Sequence, residues 1–191
     1  MSISAKLQRR PFLAPIGLAA LAAVAWVMAV LVLVGMAWFF ATARSTTIVV
    51  VRHAEKVMDG NPDPALTDEG QARAALLARM LGDRRLEDHI DAIYVSPALR
   101  TRLTAAPLAA RLGLAPEIAS EDDPRGFARR VLSEHRGGRI LIVGHADTMP
   151  ALVEALSGAK DIPPIGAAEY GTMYVISVPR IGRANVLSVT Y

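Results

Sequence analysis

The sequence predicts an α/β domain behind a single apolar helix, and three observations point there. Short apolar runs rich in β-branched residues alternate with amphipathic segments from residue 45 onward. That alternation is the pattern of an α/β fold. Several of the runs end in charged or polar residues. Finally, no charged residue occurs from Pro11 to Ala43, a stretch of 33.

That stretch comes first in the chain. About 20 apolar residues cross a bilayer as a helix, and no polar face interrupts this run. Lys6, Arg9 and Arg10 precede it, and Trp38, Phe39 and Phe40 lie near its far end. Basic residues favour the cytoplasmic side and aromatics the interface. The reading is a transmembrane signal anchor over 13–40, with residues 1–12 cytoplasmic and a folded domain over 45–191 outside. In a bacterium this means the inner membrane, single-pass, with the domain periplasmic. A cleaved signal peptide is the rival, since Ala41-Thr42-Ala43 fits a cleavage pattern. The apolar run, however, is at least twice a signal peptide's usual length of about 7–15 residues.

The domain itself is nearly neutral. Four of the 21 basic residues lie in the first 44 positions with no acid, which leaves 17 basic against 18 acidic residues. The overall +3 therefore belongs to the membrane flank and gives no support to nucleic-acid binding. The chain has no cysteine, and its histidines lack metal-ligand spacing, so a zinc site is not expected.

Thr47–Val51 is too short and too β-branched for a helix and reads as a buried strand. Residues 58–64 are turn formers. Thr67 caps a helix that runs to about Leu81, with Asp68 and Glu69 in its first turn. Ala74, Leu77, Ala78 and Leu81 form its apolar stripe, and Gly82 ends it. Asp91–Val95 is the second strand. Ser96 is expected to cap a helix beginning at Pro97 and ending near Gly113. Asp123–His135 is a third helix, Arg139–Val143 a third strand, and about Asp147–Leu156 a fourth helix. Thr172–Val178 and Ala184–Thr190 close the chain as strands. His89 and His135 sit among charged residues and read as solvated, as does Arg102.

The strand ends carry the chemistry. The first delivers Arg52 and His53, the second Ser96 with Arg100 a helical turn beyond, the third His145. In open α/β sheets ligands bind outside the carboxyl ends of the strands. Two guanidinium forks match phosphate oxygens, and a histidine can attack phosphorus and be released again. Such a set supplies positioning and charge stabilisation for phosphoryl transfer without a metal. No Gly-x-Ser-x-Gly segment or Ser-His-Asp order supports a hydrolase triad.

Four ordered blocks carry a resemblance to a known family: Val51-Arg52-His53-Ala54-Glu55-Lys56, Leu66-Thr67-Asp68-Glu69-Gly70, Ser96-Pro97-Ala98-Leu99-Arg100-Thr101-Arg102-Leu103-Thr104-Ala105, and Val143-Gly144-His145-Ala146-Asp147-Thr148. Together they resemble the histidine phosphatase superfamily, of phosphoglycerate-mutase-like fold. The resemblance implies a three-layer sheet flanked by helices and a metal-independent phosphatase that needs no cofactor. It implies His53 as the nucleophile that becomes phosphorylated, Arg52 and Arg100 gripping the phosphoryl oxygens, and His145 completing the pocket. Thr148, at the start of the following helix, joins the phosphate-binding set. Adjacent arginines should keep His53 neutral.

Three departures stand out. Ala54 replaces the glycine often found after the first histidine, and Ala146 and Asp147 replace Ser and Asn. The long insertion that carries a general acid in larger members is absent. Glu55, two residues from the nucleophile, is the first candidate for that acid, and Asp147 the second. The implied substrate is a phosphomonoester outside the cytoplasm, on a phosphorylated small molecule or glycolipid of the envelope. A protein phosphohistidine, a phosphomutase reaction and a catalytically silent phosphate-binding domain stay open. The outer wall of the pocket is placed at Val57–Ala65 and Pro116–Arg125.

Overall fold

The computed structural model describes residues 14–42, 44–83, 89–120 and 122–191. It divides into two compact units, Met1–Thr42 and Ala43–Tyr191. In the first unit, α1 (Ala14–Thr42) is one unbroken helix. Its stretch Ala19–Phe40 has a mean hydropathy of 2.5, long and apolar enough to cross a membrane as an anchor or to serve as a signal sequence. Leu21, Trp26, Leu31 and Trp38 are all exposed on it, as expected of a helix without a polar face. The expected cytoplasmic segment 1–12, and residues 13 and 43, lie outside the described residues.

The second unit is a three-layer α/β domain. Its elements are β1 (Thr46–Arg52), α2 (Asp68–Leu81), β2 (Ala92–Val95), α3 (Leu99–Leu112), β3 (Glu117–Ile118), α4 (Pro124–Glu134), β4 (Arg139–Gly144), α5 (Met149–Ser157), β5 (Thr172–Val178) and β6 (Asn185–Thr190). The sheet order is β3-β2-β4-β1-β5-β6. The first four strands are mutually parallel, and β5 and β6 run antiparallel on the other flank.

Alternation along the central strands builds two cores. Ile48, Val50, Ile140 and Ile142 face one side, where α4 and α5 cover them with Phe127, Val131, Leu152 and Val153. Val49, Val51, Leu141 and Val143 face the other, against Leu77, Ala78, Leu108 and Leu112 of α2 and α3. A parallel sheet covered on both faces needs continuous apolar runs, which is why these strands show no polar alternation.

Several boundaries follow their local chemistry. Thr67 accepts Gly70 N–H at 3.1 Å as the N-cap of α2. Gly113 closes α3 in the left-handed conformation at φ 68°, where glycine costs least. The start of α3 differs from expectation. Its N-cap is Ala98, without a side-chain cap bond, and not Ser96. Asp63 takes over that task from the preceding loop, its Oδ1 accepting Leu99 N–H at 2.7 Å. Likewise α5 starts at Met149, which leaves Asp147 in the turn before it. The two-residue β3 lies parallel to β2, and a strand that short carries no periodic signal.

Candidate functional site

The parallel register delivers the site. Arg52 at the end of β1 lies opposite Gly144 at the end of β4, and His53 N–H donates to Gly144 O at 2.9 Å. The residues following both strands are thereby brought together, and the His53 and His145 rings meet edge-on with centroids 5.3 Å apart.

Local bonds hold the backbone around His53. Thr104 Oγ1 accepts Ala54 N–H at 3.0 Å and donates to Arg100 O at 2.7 Å. One buried threonine thus joins the His53 segment to the helix that carries Arg100. Thr67 N–H donates to Glu55 O at 3.0 Å, so the first turn of α2 sits against the same segment. A side chain at Gly70 would collide with the Glu55 carbonyl, which explains the glycine there.

His53 is only 4% exposed. Its Nδ1 lies 2.8 Å from Ala54 O. A carbonyl can only accept, so Nδ1 carries the proton and Nε2 keeps its lone pair. Burial is the main cause that lowers the imidazole pKa, to about 4, with His145, Arg100 and Arg52 adding to it. The ring is therefore neutral at pH 7. Burial, then Arg100, also lowers the pKa of His145.

Ser96 fixes the second histidine. Its Oγ lies 2.8 Å from His145 Nε2 and 2.9 Å from Thr101 Oγ1. On the other side of the ring, Nδ1 faces Arg100 Nη2 at 3.4 Å. Arginine is donor-only, so Nδ1 accepts and Nε2–H donates to Ser96.

The two arginines are held differently. Arg52 Nη1 donates to the carbonyls of Gly166 and Glu169 at 2.9 and 3.0 Å, and Tyr170 stacks on its guanidinium at 4.1 Å. Arg100 approaches Asp63 at 3.8 Å. Among the described residues three buried polar side-chain atoms find no partner: Arg52 Nε, Arg100 Nε and the Tyr191 hydroxyl. Two of the three therefore belong to the arginines whose charge acts on His53. Such atoms are costly unless an acceptor arrives.

The expected proton donors are placed otherwise. Glu55 forms a bidentate pair with Arg73, with bonds of 2.6 to 3.0 Å. Burial works against its charged form, yet the Arg73 hydrogen bonds outweigh it and hold the carboxyl below the usual range. Glu55 therefore carries no proton to give at neutral pH. Asp147 is exposed in the turn after His145. Thr148 turns both its N–H and its hydroxyl back onto His145 O, and its side chain borders an apolar cleft with Phe127 and Leu152. Among the described residues no three His, Asp or Glu side chains gather as a metal would require.

Sequence reasoning passed over the segment 163–171. It has no periodicity, yet it supplies Tyr170 and both carbonyls on Arg52. A cleft of about 560 Å³ opens beside it, lined by Arg73, Pro164, Glu169, Thr172 and Tyr191 among others. Arg73 was also missed, although its place one turn beyond Gly70 puts it over Glu55. His135 is not simply solvated, since its Nε2 lies 2.8 Å from Tyr94 Oη. His89 and Arg102 are exposed.

Residues 48–123 match the family described as histidine phosphatase superfamily (branch 1). Phosphoserine phosphatase 1 of Hydrogenobacter thermophilus is 39% identical over 83 residues, which are 39% of this chain and 36% of that protein. The chain thus spans about a third of the length of that curated relative. The structure of the protein histidine phosphatase SixA complexed with tungstate superposes with a TM-score of 0.63 at 20% identity, over 75% of this chain and 96% of that one. A mycobacterial glucosyl-3-phosphoglycerate phosphatase with inorganic phosphate gives a TM-score of 0.58 at 18% identity, over 76% and 97%. At such identities the two structures speak for the fold alone. The matched segment, residues 48–123, holds Arg52, His53 and Arg100 and is similar to the histidine phosphatase superfamily (branch 1), and the domain shares its fold with solved phosphatases of that kind.

Proposed function

We propose that the domain is a phosphatase that hydrolyses a phosphomonoester through a phosphohistidine at His53, outside the cytoplasm and tethered by the N-terminal helix. The observation that carries this reading is the pair of buried, unpartnered Nε–H groups on Arg52 and Arg100 beside a neutral histidine with its Nε2 lone pair free. Two donors and one nucleophile are what a phosphoryl group in line for attack requires.

In the first step Nε2 of His53 attacks phosphorus, the P–N bond forms, and the ester P–O bond breaks. The leaving oxygen takes its proton from solvent, since Glu55 is ionised against Arg73. In the second step water attacks the phosphohistidine, the P–N bond breaks, and inorganic phosphate leaves. Arg52 and Arg100 neutralise the phosphoryl oxygens throughout. A dianionic group entering the pocket offsets the arginines and favours the His145 imidazolium, whose Nδ1 then becomes a donor to it. Asp147, exposed beside His145, is a second-choice proton source. No step draws on a metal or a cofactor, and envelope sugar or lipid phosphates are the substrate class put first.

The test is hydrolysis of an aryl phosphate by the full chain in detergent with excess chelator, beside His53→Ala and Arg100→Ala. Turnover that falls at least roughly a hundredfold in both variants, with an acid-labile phosphoenzyme trapped on the wild type, supports the reading. A folded protein that binds vanadate but turns nothing over would make it a phosphate-binding domain. Phosphate returned to product instead of water would make it a mutase.

A further inference from the structure

The end of the sheet opposite the site has a composition of its own. β1 enters at Thr46, which pairs with Val178, the last residue of β5. The tip of the β5–β6 hairpin, residues 179–184, therefore lies beside the point where the domain begins. The turn between α4 and β4 is there too: Gly137 N–H donates to Thr46 Oγ1 and Thr47 N–H to Gly138 O, each at 2.9 Å. Around this edge Arg44, Arg136 and Arg183 are exposed. At the hairpin tip, beside Arg183, Ile181 is 73% exposed. Asp91 also lies at this edge, with its Oδ2 accepting Arg139 N–H at 2.7 Å and His89 3.8 Å away.

Basic residues around an exposed apolar tip suit a surface that is anionic outside and apolar within. The chain's connectivity indicates which surface. Only three residues separate the end of α1 at Thr42 from β1 at Thr46. Fully extended they reach on the order of 14 Å, about twice the headgroup layer of about 5–7 Å on each side of a bilayer. If the helix spans the membrane, the length of the link alone lets this edge of the sheet stand no more than about 10 Å beyond the headgroup layer, within reach of contact with it.

We propose that the edge formed by Arg44, Arg136, Arg183 and Ile181 docks the domain onto anionic lipid headgroups, with Ile181 entering the interface. This rests on the membrane-anchor reading given above. The docking turns the carboxyl ends of the strands, and with them His53, away from the bilayer.

The test uses the full, cysteine-free chain in lipid nanodiscs, either zwitterionic or containing anionic lipid. A polarity-sensitive dye is placed on Ile181→Cys or, as a control beyond the other end of β1, on Met58→Cys, where the native residue is 84% exposed. The expected result is a blue shift at position 181 in anionic discs only. It should be reversed by about 1 M salt, where the Debye length falls to about 3 Å, and lost when Arg136→Ser and Arg183→Ser are added. Position 58 should read water in both. A water-like signal at 181 in anionic discs, with the chain firmly held by the discs, overturns the docking and leaves the anchor standing. A chain that high salt strips from zwitterionic discs overturns the anchor, and the docking with it.

Discussion

Tyr170 lies against Arg52, its ring centroid 4.1 Å from the guanidinium carbon, and the same ring meets His53 edge-on at 5.9 Å. One aromatic side chain from an irregular segment thus contacts both residues that β1 delivers to the site. Together with the carbonyls of Gly166 and Glu169, it leaves Arg52 little freedom to turn.

Removing that ring should loosen Arg52 without touching the chemistry. Tyr170→Ala should weaken inhibition by phosphate or vanadate roughly 3- to 30-fold, the range of a partly desolvated cation–π contact. Tyr170→Phe should behave like the wild type, because the stacking face is kept. An equal loss in both variants would mean that the hydroxyl matters, and the stacking account would fail.

Ser96 holds the His145 ring at 2.8 Å, and it should act as a positioning residue. Ser96→Ala removes the acceptor of Nε2–H and frees the imidazole to change tautomer. We expect kcat to fall about tenfold, the low end of effects that misplacement produces, with KM nearly unchanged. The pH profile of kcat should shift as well. Loss of stability with an unaltered profile would reduce Ser96 to a packing role.

The Glu55–Arg73 pair should matter to stability more than to leaving-group chemistry. Both side chains are partly buried, at 15% and 26% exposure. Breaking their charge-assisted bonds by Glu55→Gln should cost about 1–3 kcal/mol in denaturant unfolding. Activity should then fall equally for aryl and alkyl phosphates. A much larger loss on the alkyl ester, whose poorer leaving group needs a proton, would restore Glu55 as the acid.

The pH dependence of folding carries a defined sign. Folding lowers the pKa of the His53 imidazole from its ordinary 6.5 to about 4. Between those values the unfolded chain binds more protons, so stability is fully present above pH 6.5 and is lost as pH falls toward 4. The loss from this group is about 3 kcal/mol at 1.36 kcal/mol per unit. His53→Asn should remove it, leaving a variant that loses less stability than the wild type between pH 7.5 and 4.5. Parallel losses in the two proteins would show that His53 does not carry that charge-burial cost.

Much of this arrangement was legible in the chain. Val49–Val51 and Leu141–Val143 announce buried strands because both faces of the sheet are covered, and Arg52, His53 and His145 follow from where those strands stop. Thr67 and Gly113 mark helix ends by their own bonding and backbone preferences. Long-range partnerships were not legible. Asp63 caps α3 across 36 positions, while Ser96, which looks like the cap, accepts Ala98 N–H at 3.3 Å and holds His145. Arg73 pairs with Glu55 from 18 positions away. Tyr170 reaches Arg52 from a loop with neither period nor charge pattern. Such pairs depend on how elements stack in space, and local spacing does not encode that.

β1 is also a measure of height. Its seven residues make six steps of about 3.3 Å, which separate its two ends by roughly 20 Å. With the entry end resting on lipid as proposed, Nε2 of His53 stands at most about that far above the headgroups, the full height being reached when β1 runs along the bilayer normal. A phosphate held close to a lipid backbone in the same leaflet falls short of it. On that proposed geometry, the sugar and lipid phosphates proposed as substrates are those that diffuse freely or carry their phosphate outward on a saccharide.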